Sequence, residues 1–558
     1  MADKDITVAD SQLPLQSAYR WECEKAGQNF LIQPTGDGSV QTYSWAEAMA
    51  QARSMASHLK AQNFPEHSAI AIFGKNSAHF FIADLAIWMA GHVSVPIYPT
   101  SGSDTLAYIL DQCEAKAIFL GRLDHWDRVQ SGIPGDLMQV ALPYGPSADM
   151  PCWDDLVAAT EPMSDSPVRD GDELATIIYT SGSTGDPKGV MMSFRSMIAP
   201  SIGSAQVFGI RDGDCLFSYL PLAAAYERSG IEMTALLNGV PVYFSWSLET
   251  FNEDLKRAKP SIFLSVPRLW LKFQSSVLAQ LPQEQLDELL ENEEMADAVK
   301  TGVLEGLGLQ NVRLAASGSA PIPVEILSWY RRLGLELLEG YSMTENFSYC
   351  HVSRPGHNRV GYVGETMPGV QMKLSDEGEV LMKGPAMMMG YYKQPELTAE
   401  AFTEDGFLKT GDRGEIDDEG RLKLTGRVKE LFKTSKGKYI APSRLENLIN
   451  ADSLVEICCV SGTGRPQPYA LVLLSQDIAN TTSQDQLQQS LAELLPAINA
   501  QLEPHEKLEF FAVVNEEWSP ENGLLTPTLK VKRSTIEQRY EPELDAWYAA
   551  KRDIIWQR

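Results

Sequence analysis

A chain of 558 residues is too long for one hydrophobic core, so two or more domains are expected. Hydrophobic residues at 44% and charged residues at 22% exclude a disordered chain, and a net charge of -27 argues against a nucleic-acid partner, whose phosphate backbone attracts basic faces. The seven cysteines (Cys23, Cys113, Cys152, Cys215, Cys350, Cys458 and Cys459) show no metal-ligand spacing, and the adjacent pair is awkward for a disulfide. A reducing compartment, the cytoplasm, is the expectation, since residues 1–16 lack the basic start and apolar stretch of an export signal. The most apolar stretch, 80–99, is broken by Asp84, Gly91, His92 and Ser94, and reads as a helix, a turn and a strand over 93–97, not as a membrane span. Peripheral contact with a membrane and the oligomeric state stay open.

From about residue 40 the chain alternates helix and strand. Ser44 and Glu47 are placed as a capping box before a helix through Leu59, and a strand over 69–73 follows. Further apolar, β-rich runs at 117–120, 174–179, 215–219, 240–244, 261–266 and 312–316 predict α/β layers with buried strands. Over 361–424 the texture changes to short strands with Gly and Asp turns, which predicts a β-rich subdomain closing the large one. After Arg427 a small α+β unit begins. The acidic stretch 283–294 reads as a solvated helical face.

The strand ending at Tyr179 runs into Thr180, Ser181, Gly182, Ser183, Thr184, Gly185, Asp186, Pro187, Lys188 and Gly189. Glycines admit a ligand close to the backbone, hydroxyls donate and the lysine adds a point charge, which together suit a polyphosphate. Pro187 before the lysine excludes a Walker loop. The segment 421–438 holds seven Lys or Arg and one acid, Glu430, a positive patch suited to recruiting anionic ligands within an acidic chain.

These residues resemble the adenylate-forming superfamily of acyl-CoA synthetases, adenylation domains and beetle luciferases, and the likeness covers nearly the whole chain. Gly340, Tyr341, Ser342, Met343, Thr344 and Glu345 are similar to its nucleotide and metal motif. The resemblance implies a ring beside adenine, a Thr344 hydroxyl at the α-phosphate and a Glu345 carboxylate on Mg²⁺, a hard oxygen for a hard cation. Ser317, Gly318, Ser319, Ala320 and Pro321 resemble the adenine-site loop, and Thr410, Gly411 and Asp412 the ribose-binding triplet. Gly426 to Glu430 resembles the hinge motif, with Arg427 on the nucleotide and Lys429 at the pivot; Lys436, Gly437, Lys438 and Tyr439 resemble the loop of the coenzyme A tunnel. The last motif, 525–533, implies that Lys530 enters the site for adenylation. Read as an extended strand, it sets Lys530 and Lys532 on one side, so Lys532 is a rival.

The implied fold is α/β: a large N-terminal domain, 1–428, of α/β layers plus a β-rich subdomain, and a small mobile α+β domain, 429–558, carrying the catalytic lysine. Leu220 to Ala223, Glu227, Arg228 and Leu431 to Ser435 look most like long-chain acyl-CoA synthetases. Where those enzymes carry a His, this chain has Ala224, followed by Ala225 and Tyr226; the alanines either widen the acid pocket or only favour a helix. The implied reaction uses ATP, Mg²⁺ and coenzyme A to turn a carboxylic acid of the fatty type into acyl-AMP and then acyl-CoA. Its rivals are a ligase that loads a carrier protein and a non-catalytic nucleotide-binding relative.

Overall fold

The computed structural model describes residues 6–146, 150–180, 186–428, 430–520, 522–526 and 529–557. Among these, the strands of the large domain form a nine-stranded and a seven-stranded sheet, with a smaller four-stranded sheet beside them. The nine-stranded sheet is parallel through Leu337–Tyr341, Leu314–Ser317, Ile262–Ser265, Leu216–Ser218, Val242–Phe244 and Asn29–Pro34. The seven-stranded sheet is parallel from Leu174–Thr180 through Val93–Ile97, Ala69–Phe73 and Ala117–Leu120 to Met138–Ala141.

Side-chain alternation explains why these runs are apolar throughout. Along Ala69–Phe73, Ile70 and Ile72 enter the core shared by the two large sheets, while Ala69, Ala71 and Phe73 enter a second core on the other face. A strand covered on both faces gains from apolar residues at every position. The expected capping box exists: Ser44 accepts from the Glu47 N–H and the Glu47 carboxylate accepts from Ser44, opening the helix Trp45–Ala61. The stretch 215–219 shortens to Leu216–Ser218 because the chain leaves the sheet at Tyr219 to enter the loop that carries Ala224.

The β-rich expectation over 361–424 corresponds to the antiparallel sheet Gln371–Leu374, Glu379–Lys383, Leu408–Ile416 and Leu422–Arg427. The acidic stretch is the helix Gln283–Glu291, of which Leu286 is buried. Beyond Glu430 lies a four-stranded sheet of Val455–Ser461, Tyr469–Leu474, Phe511–Val513 and Ile554–Trp556. Its alternating residues again feed two cores, Ala470, Val472 and Leu474 on one face and Tyr469, Leu471 and Leu473 on the other. Arg268 of the large domain pairs with Glu456 of this unit. No helix among the described residues is long and apolar enough to cross a membrane.

Candidate active site

Strands Leu314–Ser317 and Leu337–Tyr341 lie side by side and parallel, with Ser317 opposite Glu339. The two motifs that follow, 317–321 and 340–345, therefore emerge together at the carboxyl edge of the sheet, where open α/β sheets place ligands. Tyr341 is buried, and its hydroxyl donates to Asp412 Oδ2 at 2.7 Å. The other oxygen of Asp412 lies 3.0 Å from Arg427 Nε, and Arg427 reaches Glu430 at 3.7 Å. Gly411 holds φ +72°, a left-handed turn that suits glycine; its N–H donates to Glu379 and its carbonyl accepts from Val428. Asp412 is thereby fixed between the 340–345 motif and Arg427.

Thr344 and Glu345 sit in the single turn Thr344–Asn346, which Asn346 closes by accepting the Met343 N–H at 3.0 Å. Glu345 Oε1 accepts from the Tyr391 hydroxyl at 2.8 Å, and the Lys188 ammonium lies 5.6 Å from the centre of the Tyr391 ring. Thr180 and Lys188 face each other across an antiparallel pair, so the two ends of the phosphate-loop candidate open beside Glu345. Ser181, Gly182, Ser183, Thr184 and Gly185 lie outside the described residues, as does Lys429.

The last motif requires a correction. It does not form the extended strand that would put Lys530 and Lys532 on one side. Leu529 adopts φ +59°, and the Thr526 N–H donates to the Lys530 carbonyl, so the chain turns back on itself and only Leu525 and Val531 bridge. The turn separates the two lysines: Lys532 opens the helix Arg533–Ala550, while the charges acting on Lys530 are those of Arg427, Asp412, Glu430 and Glu345. Lys530 keeps a path to solvent, yet crowding there, followed by the Arg427 guanidinium, pulls its ammonium below the ordinary lysine value; Asp412, Glu430 and Glu345 oppose that shift.

Lys436 to Tyr439 belong to a separate hairpin. Tyr439 is 61% exposed under Lys433, and Lys436 reaches Gln467 at 3.3 Å. Among the described residues, this hairpin's side-chain contacts do not join it to Asp412 or Glu345. Ala224 precedes the short helix Ala225–Glu227; Ala225 is buried and the Tyr226 ring lies over Gly318, where an added Cβ would be 3.2 Å from it. The alanine segment and the adenine-site candidate thus share one wall. Tyr391 escaped the sequence reading, since nothing in a Gly-Tyr-Tyr run distinguishes it before folding. Chemically, the assembled groups offer acceptors for hydroxyls at Asp412, cations for phosphates at Lys188, Arg427 and Lys530, and a hard carboxylate at Glu345.

A site of this kind, on two α/β layers beside a smaller C-terminal unit, defines a nucleotide-binding enzyme. The AMP-binding enzyme family matches residues 20–392, and the AMP-binding enzyme C-terminal domain matches residues 430–552. The chain belongs to the AMP-binding enzyme family. It is 29% identical to long-chain-fatty-acid–CoA ligase FadD15 of Mycobacterium bovis, over 95% of this chain and 96% of that protein. It is 31% identical to a putative fatty-acid–CoA ligase, fadD11 of Mycobacterium tuberculosis, over 68% of this chain and 74% of the relative. Among solved structures, the adenylation domain of a carboxylate reductase from Mycobacterium chelonae superposes with a TM-score of 0.80 at 25% identity, covering 96% of this chain and 91% of that one.

Proposed function

We propose that the protein is an AMP-forming acid–thiol ligase that activates a fatty acid with ATP and transfers the acyl group to coenzyme A, as the names of its relatives indicate for them. The observation that carries this reading is the set of contacts that fixes Asp412 between Tyr341 and Arg427 and sets Glu345 against Tyr391 beside Lys188, because it brings the nucleotide motifs together in one place. In the first half-reaction a carboxylate oxygen of the acid attacks the α-phosphorus of ATP and the bond to the β-phosphate oxygen breaks, releasing pyrophosphate. Lys530, Lys188 and the Thr344 hydroxyl are assigned to the charge that builds on the phosphoryl oxygens, and the 180–185 loop to the leaving phosphates. Asp412 and Tyr341 hold the ribose, and the 317–321 loop with Gly340, Tyr341 and Ser342 flanks the base.

Glu345 fits Mg²⁺. Among the described residues no cluster of three metal-ligating side chains exists, and a lone carboxylate beside a phosphate loop is how Mg²⁺ is held when the substrate supplies its other oxygens. When bound, the ion neutralises charge on the departing pyrophosphate.

In the second half-reaction the small domain, 429–558, turns against the large domain, 1–428, about Lys429. Lys530 leaves and the 436–439 hairpin enters, where the coenzyme A sulfur attacks the acyl carbon, AMP departs and the thiol proton passes to solvent. Ala224, Ala225 and Tyr226 form the acid wall, and the enzyme works in the cytoplasm. The test measures pyrophosphate release across acids from acetate to oleate and aromatic acids, with and without free coenzyme A. Fatty-acid-dependent release plus thioester formation supports the reading; release without thioester would move the acceptor to a carrier protein, and no release with any acid would overturn it.

A further inference from the structure

The loop that carries the acid wall is tied down at its start by side chains remote from it in sequence. Asn76 follows strand Ala69–Phe73 of the seven-stranded sheet, whereas Ser218 ends strand Leu216–Ser218 of the nine-stranded one. The Asn76 amide donates to Leu220 O at 2.6 Å and to Ser218 Oγ at 2.9 Å, and its carbonyl accepts the Leu222 N–H at 3.0 Å. Ser218 then donates to Glu227 Oε1 at 2.7 Å, which also accepts the Tyr219 N–H at 3.0 Å. Asn76, Ser218 and Glu227 are all buried, so each of these bonds lies where an unpaired group would be costly.

The other end of the segment is anchored as well. Arg228 is fully buried and pairs with Asp84 at 2.8 Å and with Glu232 at 3.5 Å. The turn from Arg228 to Met233 is wound as a π-helix, a form that recurs at functional sites. Between the two anchors lie Ala224, Ala225 and Tyr226, with the Tyr226 hydroxyl 3.4 Å from Ser265 O and its ring over Gly318. Two polar knots in the interior therefore fix both ends of this short helical stretch.

We propose that Asn76, acting through Ser218 and Glu227, is a positioning residue for acid binding: it joins the two large sheets and sets where Tyr226 and the alanines stand against the substrate. The proposal rests on the reading of residues 224–226 as the acid wall. Neither Asn76 nor Ser218 belongs to the nucleotide motifs, so their loss should reach the acid before it reaches ATP. Nothing in the sequence connects Asn76 to Glu227, which are 151 positions apart.

The experiment measures KM and kcat for pyrophosphate release with ATP and with acids of short, medium and long chain, in Asn76→Ala, Ser218→Ala and Tyr226→Ala proteins. The expected result for Asn76→Ala is a rise of roughly tenfold in acid KM that differs between acids, with ATP KM unchanged. Ser218→Ala, which keeps the Asn76 contacts to Leu220 and Leu222, should show the same pattern more weakly and carries the test if Asn76→Ala does not fold. Tyr226→Ala should alter acid preference directly. If Tyr226→Ala shifts preference while Asn76→Ala and Ser218→Ala do not, the positioning role is overturned and the wall stands. If Tyr226→Ala leaves preference alone, the wall reading itself falls. Acid and ATP constants that worsen together would also overturn the proposal, since a general loss of fold predicts that.

Discussion

Replacing Lys530 with alanine should separate the two half-reactions, if the lysine serves adenylation alone as proposed. Asp412, Arg427 and Glu345 are among the charges that act on Lys530, while the 436–439 hairpin has its contacts elsewhere, Lys436 reaching Gln467. Confinement and the Arg427 guanidinium draw the Lys530 ammonium below the ordinary lysine value, while Asp412, Glu430 and Glu345 pull the other way. Removing one preorganised donor from an adenylation site costs about 10²–10³ in rate, or roughly 3–4 kcal/mol. Acyl-AMP formation, followed by pyrophosphate release, should fall by about that factor in Lys530→Ala. Thioester formation from presynthesised acyl-AMP and coenzyme A should stay within about threefold of the parent, because that step needs the lysine elsewhere. Lys532→Ala serves as the comparison, since Lys532 opens the last helix and should leave both steps near normal. Equal losses in the two half-reactions of Lys530→Ala, or the larger loss in Lys532→Ala, would refute the assignment.

Local signals were strong where one short stretch determines its own conformation. Ser44 and Glu47 announced a helix start because a capping box needs only four residues, and the apolar runs announced strands because burial on both faces leaves no polar position. The candidate nucleotide motifs stand out in the sequence for the same reason: each is a compact set of glycines, hydroxyls and charges. Long-range partners were not. Tyr391 reaches Glu345 across 46 positions, and Asn76 reaches Ser218 across 142, with no local pattern to reveal either. Alternation failed for Lys530 and Lys532 because one residue, Leu529 at φ +59°, reverses the chain, and a left-handed leucine has no sequence signature. Shape thus follows local chemistry, whereas the site depends on which ends the two sheets bring together.

Exchanging Glu345 for glutamine should weaken Mg²⁺ dependence and lower adenylation by orders of magnitude, read by titrating Mg²⁺ in both proteins; an unchanged midpoint and rate would remove Glu345 from the site. Ala224→His should shift preference among short, medium and long acids by roughly 10- to 200-fold with ATP KM nearly constant, and a uniform change for every acid would leave the alanines as helix formers. The remaining test concerns stability. Burial pushes the Glu227 carboxyl up to about 8 from an ordinary 4.5, against hydrogen bonds from Ser218 and Tyr219. The folded protein therefore holds a proton there that the unfolded chain releases, so this contribution is complete below pH 4.5 and is lost as pH rises through about 8. Glu227→Gln keeps a neutral side chain at every pH and should gain on the parent in urea midpoint between pH 5 and pH 8, by on the order of 4 kcal/mol at the upper end. A constant difference across that range would mean that Glu227 is ionised in the fold, and that the chain from Asn76 through Ser218 ends on a buried carboxylate and not on a neutral acid.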